Sequence, residues 1–158
     1  WPNTGDRDVA FTRKLVDWAT SNYCIDRNRI FSVGMSYGGI MSNTLGCEMG
    51  DVFRAITPMS GSGPATYRGS KPCVGQVAAW MSHGNMDMTV PFSSGEASRD
   101  HWLQTNHCQM TSTPIGPDAC VAYQGCDAGY PVHWCEFSGG HTIPSFAADG
   151  IWQFLSKF

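Results

Sequence analysis

Three residues in this 158-residue chain have the types needed for an acyl-transfer relay: Ser36, Asp87 and His141. A serine hydroxyl is a poor nucleophile near neutral pH and needs a neighbouring base to take its proton. An imidazole does this when a carboxylate holds it in one tautomer. Ser36 lies in Gly34-Met35-Ser36-Tyr37-Gly38 and is followed by a further glycine, Gly39. Asp87 lies in His83-Gly84-Asn85-Met86-Asp87, and His141 follows Gly139-Gly140. Each also has an ordinary reading as a turn or loop residue. The choice rests on the elements that carry them.

Ile30 to Val33 is a short apolar run, with β-branched and aromatic residues, suited to a strand covered on both faces. It ends in the glycine-bracketed serine, and Tyr37 to Met49 can be helical. Strand, sharp turn and helix are the context of a nucleophile elbow. Bulky side chains at Gly34 or Gly38 are expected to collide with neighbouring backbone there. Phe53 to Met59 and Val77 to Met81 read as the next two strands, the second ending at Ser82-His83-Gly84. Val121 to Gln124 and Val132 to Phe137 read as two short strands around a turn near Gly129.

Helices are expected over Val9 to Asn22, Ser93 to His107 and Ser145 to Lys157. Asp6 or Asp8 is the expected cap of the first. Its Phe11, Leu15 and Trp18 form one apolar stripe, read as a core face. In the Ser93 helix, Ala97, His101 and Leu103 or Gln104 are expected to point inward. Met110 to Asp118, rich in Thr and Pro, reads as loop, as does the stretch from residue 62 to 75.

Alternating strands and helices predict an α/β fold with a largely parallel sheet. Reactive groups in such sheets sit beyond the carboxyl ends of the strands. Ser36, Asp87 and His141 all fall there, in that chain order, which is the order of the α/β-hydrolase fold. Rival acids Asp118, Asp127 and Asp149 do not directly follow a strand. His83 is expected to support the loop carrying Asp87 by hydrogen bonding, and His101, His107 and His133 to be structural or exposed. The backbone N–H of Tyr37 is the built-in oxyanion donor. The second donor normally comes from a loop on the amino-terminal side of the elbow, where this chain offers one helix and a polar start. The sequence therefore reads as a carboxyl-terminal portion of one larger hydrolase domain, residues 1–158, with amino-terminal strands missing.

A net charge of −3 and a pI near 5.9 give no reason to expect nucleic acid or an anionic membrane as partner. No apolar run is long enough to span a bilayer. The chain begins Trp1-Pro2, so its start is processed, trimmed or partial. Seven cysteines without a C-x-x-C pair point to disulfides and an oxidising compartment, and no metal or other cofactor is expected. Loop bracketing predicts the pairs Cys126–Cys135 and Cys108–Cys120, and an odd count leaves one cysteine over.

Asp8-Val9-Ala10-Phe11, the Gly34–Gly39 elbow, His83-Gly84-Asn85-Met86-Asp87-Met88-Thr89-Val90-Pro91-Phe92 and Gly139-Gly140-His141-Thr142-Ile143-Pro144 together resemble secreted feruloyl esterases. These belong with the carbohydrate esterase family 1 and polyhydroxybutyrate-depolymerase-like group. The stretch from Tyr123-Gln124-Gly125-Cys126 to His133-Trp134-Cys135 is similar to the feruloyl esterase branch in particular. The resemblance implies a Ser36, Asp87, His141 triad, a secreted enzyme without metal, and hydroxycinnamoyl esters of plant cell-wall polysaccharide as substrate. Tyr37 and Met88, adjoining the triad, are the expected contacts for the phenyl ring. Acetylxylan esterase and polyester depolymerase activities share the same triad. The alternative of another class is a non-catalytic carbohydrate-binding remnant, with six Trp and five Tyr as sugar-stacking faces.

Overall fold

The computed structural model describes residues 3–65, 72–116 and 120–158. Six strands form one sheet in the order β1-β2-β3-β6-β5-β4. They are β1 (Phe31–Met35), β2 (Ala55–Met59), β3 (Ala78–Gly84), β4 (Ser112–Ile115), β5 (Cys120–Tyr123) and β6 (Val132–Phe137). The first three and β6 run parallel, whereas β5 and β4 add an antiparallel hairpin at one side. Strand β1, which leads to Ser36, is the outermost strand at the other side.

Helices α1 (Arg7–Asn22), α2 (Tyr37–Glu48), α3 (Phe92–Thr105) and α4 (Ala147–Leu155) flank the sheet. Side chains alternate across a strand, so the inner strands β2, β3 and β6 feed two cores. Ile56, Ala79, Met81 and Trp134 pack with Met41 and Leu45 of α2 and Trp102 and Leu103 of α3. Ala55, Ala78, Trp80 and Cys135 pack with Phe154 and Leu155 of α4 on the opposite face. Strands β2 and β3 are buried throughout, as the inner strands of a covered parallel sheet should be.

Four expectations fail for physical reasons. The α1 stripe is not a core face: Phe11, Leu15 and Trp18 are 58%, 49% and 54% exposed, and α1 has no buried residue. Periodicity identifies an apolar face but not what it faces. The α1 cap is also different. Asn3, itself buried, accepts from the N–H groups of Asp8 and Val9, while Asp8 accepts from the N–H of Asn3.

In α3 the expected inward face holds at Leu103, with His101 half-buried, but is otherwise displaced. Gly95, Ser98, Trp102 and Leu103 are buried, whereas Ala97 and Gln104 are exposed. Residues 112–115, expected as loop, form β4; Pro114 lies in this exposed outer strand, the place where a missing N–H is tolerated. The Asp118 end of that expected loop, like residues 66–71, lies outside the described residues.

The predicted disulfides are both wrong. The structure pairs Cys47–Cys73, Cys108–Cys126 and Cys120–Cys135 and leaves Cys24 free and exposed. The β5–β6 register places Cys120 directly opposite Cys135. Loop bracketing considers only what is near in sequence, and this cross-strand pairing lies outside its reach.

Candidate active site

The elbow begins with a backbone constraint. Ser36 has φ 58° and ψ −122°, a region that a non-glycine residue occupies only under strain. Its N–H donates to the Met59 carbonyl of β2 at 2.9 Å, anchoring the turn to the sheet. A Cβ on Gly34 would stand 2.2 Å from the Gly38 carbonyl oxygen, so this position admits glycine only. Gly38 differs from expectation, because a Cβ there meets nothing within 4 Å. Tyr37 is the first residue of α2, where a helix N–H has no intrahelical acceptor. Its amide is thus available beside Ser36.

Three strand ends converge on this turn. Ser36 follows β1, Asp87 lies in the turn after β3, and His141 follows β6. Main-chain bonds hold the last two together: Asn85 N–H donates to the Phe137 carbonyl at 3.0 Å and Met86 N–H to the Gly139 carbonyl at 2.9 Å. These continue the β3–β6 pairing beyond the strands. His141 Nδ1 lies 2.7 Å from Asp87 Oδ2, and His141 Nε2 lies 2.8 Å from Ser36 Oγ. A carboxylate only accepts, so Nδ1 donates to Asp87, and Nε2 is then the acceptor for the Ser36 hydroxyl. The arrangement can pass a proton from serine to imidazole.

Asp87 is fully enclosed, and its other oxygen accepts the N–H groups of Thr89 at 2.9 Å and Val90 at 3.0 Å. Burial pushes its carboxyl up. The bonds from His141, Val90 and Thr89, with the charge of His141, outweigh this and hold it below the ordinary aspartate value. A carboxylate kept ionised in a closed site is what a developing imidazolium requires.

The other expected residues find their places. His83 is buried, with Nε2 2.9 Å from the Val90 carbonyl and 3.4 Å from Asp87 Oδ2, as support for that loop requires. Asp127 pairs instead with His107 at 2.6 Å and Gln76 at 2.8 Å, and Asp149 sits in the first turn of α4. His101 lies 3.4 Å from the Cys73 sulfur, and burial lowers its pKa. Among the described residues, Cys47, Cys73 and His101 are the one grouping of metal-ligand type, and its two sulfurs are joined to each other. Tyr37 and Met88 are 66% and 93% exposed beside the site. Met86 and Ile143 are also exposed, in the loops bearing Asp87 and His141.

The sheet order, the elbow and the three strand-end residues define an α/β-hydrolase fold. The acetyl xylan esterase from Aspergillus awamori superposes with a TM-score of 0.74 at 15% identity, covering 93% of this chain and 66% of the other. The family model for the prolyl oligopeptidase family (Peptidase_S9) matches residues 1–87, and the chain belongs to that family. Feruloyl esterase D of Neurospora crassa is 32% identical over the whole chain, which spans 58% of that relative. Feruloyl esterase C of Emericella nidulans is 28% identical over 98% of the chain and 60% of the relative. The chain thus spans less than two thirds of the length of these relatives.

Proposed function

We propose that this chain carries the reacting centre of a serine carboxylesterase that releases ferulic or related hydroxycinnamic acids from plant cell-wall polysaccharide esters. The observation that carries the reading is the unbroken Ser36–His141–Asp87 hydrogen-bond relay at three converging strand ends. The substrate class follows from the feruloyl esterases that match the chain from end to end. His141 takes the Ser36 proton as Oγ attacks the ester carbonyl, and Asp87 stabilises the imidazolium. The Tyr37 N–H donates to the oxyanion. Collapse expels the alcohol, which takes the proton from His141, and water then repeats the sequence on the acyl-enzyme. Tyr37, Met88, Met86 and Ile143 supply the apolar surface for the hydroxycinnamoyl ring. Secretion is part of the reading, supported by three disulfides.

Ser36→Ala in the full-length protein should abolish hydrolysis of methyl ferulate, and a fluorophosphonate probe should label the wild type at Ser36. Substantial turnover by that variant would sink the assignment. Folded wild-type protein that takes no label and hydrolyses no ester would favour a carbohydrate-binding remnant. Preference for acetylated xylan over methyl ferulate would place the activity with acetylxylan esterases.

A further inference from the structure

The His83 ring is enclosed on every side the structure describes. It is 1% exposed, with Phe92 edge-on at 5.9 Å between ring centroids and Trp134 tilted at 6.4 Å. Its Nδ1 edge lies against α3 at Gly95. A Cβ there would stand 2.2 Å from Nδ1, 2.7 Å from Cγ and 2.9 Å from Cε1. Only glycine lets helix and ring come this close.

The Nε2 edge has a defined proton. A backbone carbonyl only accepts, so Nε2 donates to Val90 O at 2.9 Å. The same N–H lies 3.4 Å from Asp87 Oδ2, the oxygen that receives His141. The Val90 N–H meanwhile donates to the other oxygen, Oδ1. His83 therefore meets the carboxylate in two ways: its Nε2 lies beside Oδ2, and its bond to the Val90 carbonyl fixes the residue whose N–H holds Oδ1. Rotation of the carboxylate away from His141 would have to disturb this closed network, in a low-dielectric interior where lost hydrogen bonds are costly.

We propose that His83 is a positioning residue that aims Asp87 Oδ2 at His141, and that Gly95 is the seat that keeps its ring in place. This rests on the proposed role of Ser36, His141 and Asp87. It makes α3, which contributes no group to the relay itself, a determinant of the reaction.

The test measures methyl ferulate hydrolysis by the full-length protein as a function of pH. His83→Leu removes the donor while staying apolar and should lower kcat about 10- to 100-fold, the range for leaving a buried acceptor, here the Val90 carbonyl, without its donor. KM should change less than about threefold, because His83 does not touch substrate. With Asp87 less well aimed, the His141 imidazolium loses part of its counter-charge, so the acid limb of kcat/KM should move to lower pH. His83→Gln, which retains a side-chain N–H donor, should recover part of the lost kcat. Gly95→Ala should reproduce the kcat loss and the acid-limb shift with His83 intact, and it decides the matter if His83→Leu does not fold.

Unchanged kcat in His83→Leu and Gly95→Ala, or a loss confined to KM, overturns the proposal. So does an acid limb that stays in place or moves to higher pH. An inactive Ser36→Ala alongside fully active His83→Leu would overturn this inference and leave the esterase reading standing. Residual activity in Ser36→Ala would overturn the esterase reading itself.

Discussion

At the scale of single residues, the two glycines that bracket Ser36 have different duties despite their symmetric places in the motif. Gly34 faces the Gly38 carbonyl at a distance no Cβ can occupy, whereas Gly38 faces open space. Gly34→Ala must displace the elbow, and is expected to cost about 1–3 kcal/mol of stability as overpacking does. It should also reduce fluorophosphonate labelling of Ser36 by more than about 100-fold, since small misplacements of reacting atoms cost that much. Gly38→Ala, near the start of α2, should retain labelling and gain up to about 1 kcal/mol from better helix propensity. Thermal unfolding and labelling rates of the two variants check both expectations. The motif announces the elbow but not which glycine the turn cannot spare, because that depends on where the Gly38 carbonyl turns back.

At the scale of elements, α4 and β6 meet across a histidine that the proposed reaction does not use. His133 in β6 lies against Phe154 of α4 with ring centroids 4.8 Å apart. Burial, with a smaller contribution from the Lys157 charge, lowers its pKa to about 4. The folded protein therefore stays unprotonated here, while an unfolded chain takes up a proton below about 6.5. Between those values the unfolded state binds more protons, so stability falls as pH drops from about 6.5 to about 4 and this contribution then levels off. The ceiling on the effect is about 3 kcal/mol at about 1.4 kcal/mol per pH unit, reduced because the ring is only half-buried. Urea midpoints at pH 7 and pH 4.5 should show a smaller loss for His133→Gln than for wild type; equal losses would refute it.

Elements were legible where their pattern was their cause. Strands β2 and β3 are mostly apolar and are buried along their whole length, with Thr57, Ser82 and His83 included. Helix α1 was read as a helix correctly but wrongly as core, since its stripe faces solvent in the described structure. Strand β4 was missed because Thr and Pro in a short exposed segment carry no core signal. Its pairing with β5 supplies the order.

At the scale of the whole molecule, the disulfides tie parts that local sequence does not associate. Cys120–Cys135 joins β5 to β6, the strand that leads to His141, and Cys47–Cys73 ties the last turn of α2 to the segment before β3. Mass spectrometry of a non-reduced digest should find the pairs 47–73, 108–126 and 120–135 with Cys24 alkylatable. Replacing Cys120 and Cys135 together by Ala should lower stability by about 2–4 kcal/mol, the range for a closed loop of moderate length. A change under about 0.5 kcal/mol in the urea midpoint analysis would show that the β5–β6 pairing holds without it.

The sequence by itself determined the elbow, the strand-end positions of Ser36, Asp87 and His141, and their order along the chain. Those features are local or topological: a strand, a turn and a helix follow one another, and parallel strands end on one side. Only the tertiary structure decided what lies between them. The relay distances depend on β3 and β6 being neighbours, the cysteine pairs on cross-strand register, and the support of Asp87 on α3 lying against His83. These are contacts between residues far apart in the chain, fixed when the sheet closes over its two cores. The opening motif thus names a serine, and the packing of β3, β6 and α3 determines how its partners are held.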